Sequence, residues 1–155
     1  MLNNDVLIDN GLKYSGIVTV TVKQGQKIIK TNVIKNAGTE LLFKTLCRCL
    51  CGDTDAVKTM PFYIDAGVIE SEKFVSKVVY MSPISQRVPN YTSDKWSAVF
   101  TATFVYSQML SNSITSLALK TLDGEILATV TGNSGDFALT DTATLLVKWD
   151  MSFNN

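Results

Sequence analysis

The chain has 155 residues, 46% of them apolar and 18% charged, with fourteen Lys plus Arg balancing fourteen Asp plus Glu and no histidine. Its length sets one domain around one buried core, and the missing histidine removes the commonest general base, the Ser–His and Cys–His nucleophile pairs and the most frequent metal ligand. The balanced charge argues against a nucleic-acid partner, whose binders carry a basic stripe; the densest basic stretch, Lys23, Lys27, Lys30 and Lys35, lies along a hairpin and reads as a solvated face.

Residues 1–16 are polar and irregular, with Asn3, Asn4, Asp9, Asn10 and Gly11. They read as an N-terminal arm that gains order only against the rest of the fold or a neighbour, leaving a single domain at 17–155. The opening MLNNDVLIDNG lacks the basic and apolar regions of a signal peptide, and no apolar run is long enough to span a bilayer, so the expectation is a chain made in the cytoplasm without a membrane partner. In GIVTVTVKQGQKIIKTNVI, Val18, Val20 and Val22 alternate with Thr19 and Thr21. Lys23-Gln24-Gly25-Gln26 turns the chain, which returns from Lys27 to Ile34 as a β-hairpin.

NAGTELLFKTLCRCLCGD changes period. Leu42, Leu46, Cys49 and Leu50 form a helical stripe widened by Phe43 and Cys47, which predicts one helix near residues 39–51. Thr39 is its candidate N-cap and Gly52 its left-handed C′ residue. The stripe wraps more than half the circumference, which predicts a well-buried helix. FYIDAGV then reads as a short strand and FVSKVVYM, Phe74 to Met81, as another, before a loop holding Pro83 and Pro89.

WSAVFTATFVY is the strongest strand signal, with Trp96, Ala98, Phe100, Ala102, Phe104 and Tyr106 on one face. SITSLALKTLDGEILATVTG pairs two strands across Asp123-Gly124, a favoured two-residue turn. GNSGDFALTDT is a loop. ATLLVKWDMSF closes the chain with Leu145, Val147, Trp149, Met151 and Phe153 on one face. About eight antiparallel strands and one helix predict a mainly β fold: an antiparallel β-sandwich, jelly-roll-like, with the helix capping an open end or edge. The Trp96 row and the Trp149 row are expected to face each other across the core, since burying one large side chain is worth about 1.5–3 kcal/mol.

No constellation carries catalysis. Zinc needs four ligands, and CRCLC supplies only Cys47, Cys49 and Cys51, so these are expected as small buried apolar side chains in a reducing compartment. GDTDA and GNSGD lack the ligand spacing of a calcium loop and read as helix-exit and turn chemistry. Glu70 with Glu72, and Asp123 with Glu125, sit in polar turns rather than the apolar pocket that tunes a catalytic carboxyl. No catalytic residue, cofactor or metal ligand is therefore assigned, and the chain is read as non-enzymatic. Asn90-Tyr91-Thr92 matches a glycosylation acceptor without a secretory signal. Tyr63 and Tyr91 are the candidate ligand contacts, aromatics able to stack on a sugar ring in a carbohydrate- or receptor-binding module; edge-of-sheet tyrosine explains them as well, and Tyr80 with them.

The order of landmarks resembles small accessory structural proteins of tailed bacteriophage virions. The hairpin leads into IKNAGTELLFKTLCRCLCGD, similar to an Asn-x-Gly-Thr helix start with a Leu-rich helix and Gly. PFYIDAGV, YMSPISQRVPN, WSAVFTATFVYSQ, ITSLALKTLDGEILATVT and LLVKWDMSFNN resemble the strands that follow, so the likeness covers residues 17 to 155. The tail KWDMSFNN is also similar, more faintly, to crAss-like phages of gut bacteria. The resemblance implies a virion building block: a capsid auxiliary (decoration) protein, or a collar, tail or fibre-attachment component. Its partners would be other virion proteins, in a homo-oligomer or lattice, and no active site carries over. Low charge, many Thr and Ser, and a pairable arm suit a part repeated by shape fit and strand addition.

Overall fold

Successive side chains leave a strand on opposite faces, so the VTVTV and FTATF alternations each give one apolar and one hydroxyl-rich face. The computed structural model describes residues 6–8, 12–38, 40–91 and 95–154. The hairpin is built from β2 (Leu12–Gln24) and β3 (Lys27–Gly38), with β1 (Val6–Ile8) paired to the start of β2. One helix, α1 (Glu40–Leu50), and a short 3-10 turn, Thr54–Thr59, follow. The other described residues form strands, loops and two further 3-10 turns, Tyr106–Gln108 and Ser134–Asp136; the strands are β4 (Tyr63–Glu70), β5 (Lys73–Ser76), β6 (Ser82–Pro83), β7 (Gln86–Tyr91), β8 (Lys95–Val105), β9 (Ser116–Lys120), β10 (Ile126–Thr131) and β11 (Ala143–Asn154).

The fold is mainly β, with two antiparallel sheets of five strands each and one short helix. The first sheet runs β3-β2-β11-β8-β7; the second runs β10-β9-β4-β5, with β6 also paired to β4. They are joined through β3, whose last residues Ala37 and Gly38 leave β2 and pair with Thr129 and Ala128 of β10. One buried cluster takes Val18, Val20, Phe100, Phe104, Leu145 and Trp149 from the first sheet and Ile64, Leu117, Leu119, Leu127 and Val130 from the second.

The Trp96 and Trp149 rows do not face each other. Trp149 pairs with Phe100 on one side and Val18 on the other, so the two rows stand side by side on one face of the first sheet. Directly opposed residues of an antiparallel pair share a face, which is why both rows are apolar together. The inward stretch of the first row is Phe100, Ala102 and Phe104; its ends emerge, with Trp96 47% and Tyr106 40% exposed. Trp149 is fully buried. With its amide oriented by its partners, Asn36 accepts the Trp149 Nε1–H at 3.1 Å and donates to the Gly16 carbonyl at 2.9 Å. A buried indole N–H needs such an acceptor.

Four local expectations change. Residues 12–16 are not an irregular arm but the first part of β2, where Tyr14 pairs with Phe153 and Gly16 with Met151. The strand expected to reach Met81 ends at Ser76, after which Val78 makes a single bridge to Met109. The expected proline loop contains β6 and β7; Pro89 is tolerated because β7 is the sheet edge, where its missing N–H leaves no ladder bond unmade. At the expected two-residue turn, Thr121 N–H still bonds the Glu125 carbonyl at 2.9 Å, so Leu122, Asp123 and Gly124 together form the loop.

Helix α1 ends as its sequence indicates. Gly52, at φ 68°, donates to the Cys49 carbonyl at 3.1 Å and Asp53 to the Arg48 carbonyl at 3.0 Å, which is a Schellman cap. Thr39 lies outside the described residues. The helix is less buried than its stripe predicts: Leu42 and Thr45 are inside, while Leu50 is 88% exposed. Thr45 Oγ ties the helix to the 3-10 turn by donating to the Thr59 carbonyl at 3.1 Å.

Gly67 in β4 is required by close approach. A Cβ there would run into the Val75 carbonyl and lie 3.0 Å from Phe74 Cζ on the paired strand β5. Gly67→Ala is expected to destabilise the fold by about 1–3 kcal/mol through overpacking, seen as a lower urea midpoint. An unchanged midpoint would mean that β5 does not lie against β4 in this way.

Candidate functional site

The alternation in YIDAGV sends Ile64 and Ala66 into the core and places Tyr63, Asp65 and Gly67 on the opposite face of β4. Antiparallel pairing with β9 sets Lys120 opposite Tyr63 and Ala118 opposite Asp65. On the other side of β4, β5 ends with Ser76 opposite Gly67, and β6 begins with Ser82 opposite Ile64. The intervening residues 77–81 form an arch between β5 and β6: Lys77 still donates to the Ala66 carbonyl of β4 at 2.9 Å, and Val79 donates to the Gln108 carbonyl at 2.8 Å. The arch and the sheet enclose an open cleft of about 450 Å³ lined by Tyr63, Asp65, Ser76, Tyr80, Met81 and Lys120 among others.

A buried ion pair forms part of the cleft lining. Asp65 Oδ2 accepts from Lys120 Nζ at 2.7 Å, and Oδ1 accepts from Ser76 Oγ at 2.7 Å. The two charged side chains are 1% and 14% exposed. Lys120 Nζ also lies 5.1 Å from the Phe74 ring centroid, a cation–π contact. Burying a charge pair is tolerated when each oxygen meets a donor, as here. Tyr80 stands at the cleft 57% exposed. Behind Tyr63 lies Phe62, edge-on with ring centroids 5.0 Å apart, and the Arg87 guanidinium sits 5.5 Å from the Phe62 centroid.

Of the two expected ligand contacts, Tyr63 belongs to this cleft. Tyr91 does not: it ends β7 opposite Trp96 in the other sheet, and its side chain lies outside the described residues. Asp65, Lys120 and Ser76 carry no sequence motif that marks them as a group. The available signal was a carboxylate inside the apolar run YIDAGV and a lysine ending SLALK, both unusual at positions whose strand neighbours are core.

The acidic loops are explained by turn chemistry. Asp53 of GDTDA accepts from Arg48 Nε at 2.7 Å and from the Asp55 N–H at 2.9 Å. The Arg48 hydrogen bond, aided by that N–H, holds the Asp53 carboxyl below its ordinary range and raises Arg48. Asp136 of GNSGD accepts from the Asn133 N–H at 2.8 Å and from Lys30 Nζ at 3.2 Å. Glu70, in the other carboxylate pair, holds Lys77 at 3.0 Å. Among the described residues no group of His, Cys, Asp or Glu side chains is arranged to hold a metal ion.

The cysteines correct an expectation. Cys47, Cys49 and Cys51 are exposed free thiols rather than buried apolar residues, because they lie in the last turn of α1 and just past it, beyond the part that packs on the core. All three are expected to react with Ellman's reagent in the folded protein at similar rates. A thiol protected until denaturant is added would place it inside.

The first sheet has its own notable surface. Val33 pairs with Thr19, which alternates with buried Val18 and Val20, so Val33 points outward and is 65% exposed. By the same alternation Val88, opposite Val99, points outward from β7. Ile28, Ile29 and Val105 are also exposed. Among the described residues no helix is long and apolar enough to cross a membrane. A scan against protein-family models finds no match, and searches of curated proteins and of solved structures find none either.

Proposed function

We propose that the chain is a non-enzymatic structural protein of a tailed-bacteriophage virion, specifically a capsid auxiliary (decoration) protein that works through contacts with other virion proteins and with copies of itself. The observation that carries this reading is the exposed aliphatic set Ile28, Ile29, Val33, Val88 and Val105 on the first sheet, in a chain of zero formal net charge. Fully burying an exposed side chain of this size is worth about 1.5–3 kcal/mol, and these are already half-buried, so a neighbour covering them gains roughly half of that at each. Thr19, Thr21 and Thr31 are the outward positions beside Val33, while Lys23 stands opposite Ile28 and Lys35 and Lys148 lie near, so a partner must bring acceptors for these ammonium groups or leave them at the rim. In this reading the two sheets that share one core are the layers of a jelly-roll-like β-sandwich. The same surface would serve a collar, tail or fibre-attachment component, which differs only in the symmetry of its neighbours.

The paired substitution Ile29→Lys and Val33→Lys tests it, because both residues are exposed and neither contributes to the buried cluster. The doubly substituted chain is expected to melt like the parent and to be incorporated into gradient-purified particles roughly tenfold less, the ratio set by about 1.4 kcal/mol of lost contact. Equal incorporation would contradict the assignment of this face.

A further inference from the structure

We infer that the cleft between β4, β9 and the 77–81 arch binds a neutral sugar residue. The inference stands apart from the assembly reading, since the cleft belongs to the second sheet and the aliphatic face to the first.

The polar groups decide the class of ligand. A buried ion pair is poor value for stability, because well-packed apolar residues of similar volume usually do as well. Here the pair is placed where an open cleft reaches it. An ammonium has three N–H groups and a carboxylate about four acceptor positions. Lys120 gives one N–H to Asp65, and Asp65 receives one hydrogen bond on each oxygen, from Lys120 and from Ser76. Lys120, 14% exposed, therefore keeps donor capacity toward the cleft, while the Asp65 carboxylate, 1% exposed, makes the pair neutral as a whole. A free anion drawn to Lys120 would meet the Asp65 carboxylate beside it, and a free cation drawn to Asp65 would meet the ammonium. A sugar hydroxyl can accept from the Lys120 ammonium without carrying charge to the pair, and its neighbouring hydroxyl can meet a tyrosine hydroxyl of the wall.

The walls fit the same ligand. Tyr63 and Tyr80 present aromatic carbon and a phenolic hydroxyl, the combination that meets the C–H face and the rim of a pyranose. Tyr80, 57% exposed, is a large aromatic left uncovered at the mouth. A volume of about 450 Å³ lies within the range of small-molecule pockets.

The test is saturation-transfer NMR on the full chain with the methyl glycosides of glucose, galactose, mannose and N-acetylglucosamine, with acetate and methylammonium as charged controls. At least one glycoside is expected to receive saturation and the charged controls none. Tyr80→Ala is expected to weaken that binding at least about tenfold while the melting temperature holds, since the residue is exposed. The double variant Asp65→Asn with Lys120→Gln, which removes both charges together, is expected to abolish it. No transfer to any glycoside, transfer undiminished by Tyr80→Ala, or binding of a charged control in place of the sugars would overturn the inference.

Discussion

Trp149→Ala is expected to cost about 3–5 kcal/mol, the range for emptying a large aromatic site in a core, whereas Trp96→Ala is expected to cost about 1 kcal/mol or less. Both tryptophans belong to apolar rows of neighbouring strands, Trp96 at the start of its row and Trp149 in the middle of its own, and their surroundings differ. Trp149 lies on β11, which is paired on both sides by β2 and β8, and it is fully buried. Trp96 lies near the start of β8, beyond the inward stretch of its row, and is 47% exposed. Trp149→Phe separates packing from polarity: it keeps a ring in place but leaves the Asn36 oxygen without its indole donor, at a cost of about 1–3 kcal/mol. Urea titration of the three variants measures all of this. In Trp149→Phe the remaining indole, Trp96, is expected to emit at the long wavelengths of a solvated tryptophan. Equal destabilisation by Trp96→Ala and Trp149→Ala would contradict the described register.

The second large effect is expected at the buried ion pair. Asp65→Ala leaves the Lys120 ammonium 14% exposed without its carboxylate and is expected to destabilise by about 3–5 kcal/mol. Lys120→Ala, which strands the carboxylate, is expected to do the same. Replacing both partners at once, Asp65→Leu with Lys120→Met, is expected to recover most of the loss, because an apolar pair of similar volume often matches a buried salt bridge. The double-mutant cycle would then show strong coupling. Single substitutions that each cost less than about 1 kcal/mol would show the pair to be solvated, as exposed pairs are.

The strands with long, regular alternation were legible from residue order: Val18 to Val22, Phe100 to Phe104 and Leu145 to Met151 are all inside, and the hairpin turn falls at Gly25-Gln26. What alternation cannot show is which strand lies beside which. Alternation alone suggests that the rows of β8 and β11 face each other, whereas residues far apart in the chain become neighbours in one sheet. The helix period was likewise correct, but burial depends on what packs over a helix, and α1 presents its Leu50 and cysteine end to solvent. The short strands β6 and β7 were hidden by prolines that an edge position tolerates. At the cleft, Tyr63 was visible as an aromatic, while Asp65, Ser76 and Lys120 come from three strands and form a group only through register.

The proposed role as a virion building block is tested most directly by electron cryomicroscopy of purified phage particles with mass spectrometry of the same preparation. Many copies of this chain per particle are expected, arranged with the symmetry of the capsid and with Ile28, Ile29 and Val33 covered by a neighbouring protein. Particles that lack the chain, with all of it recovered in the particle-free fraction, would contradict it.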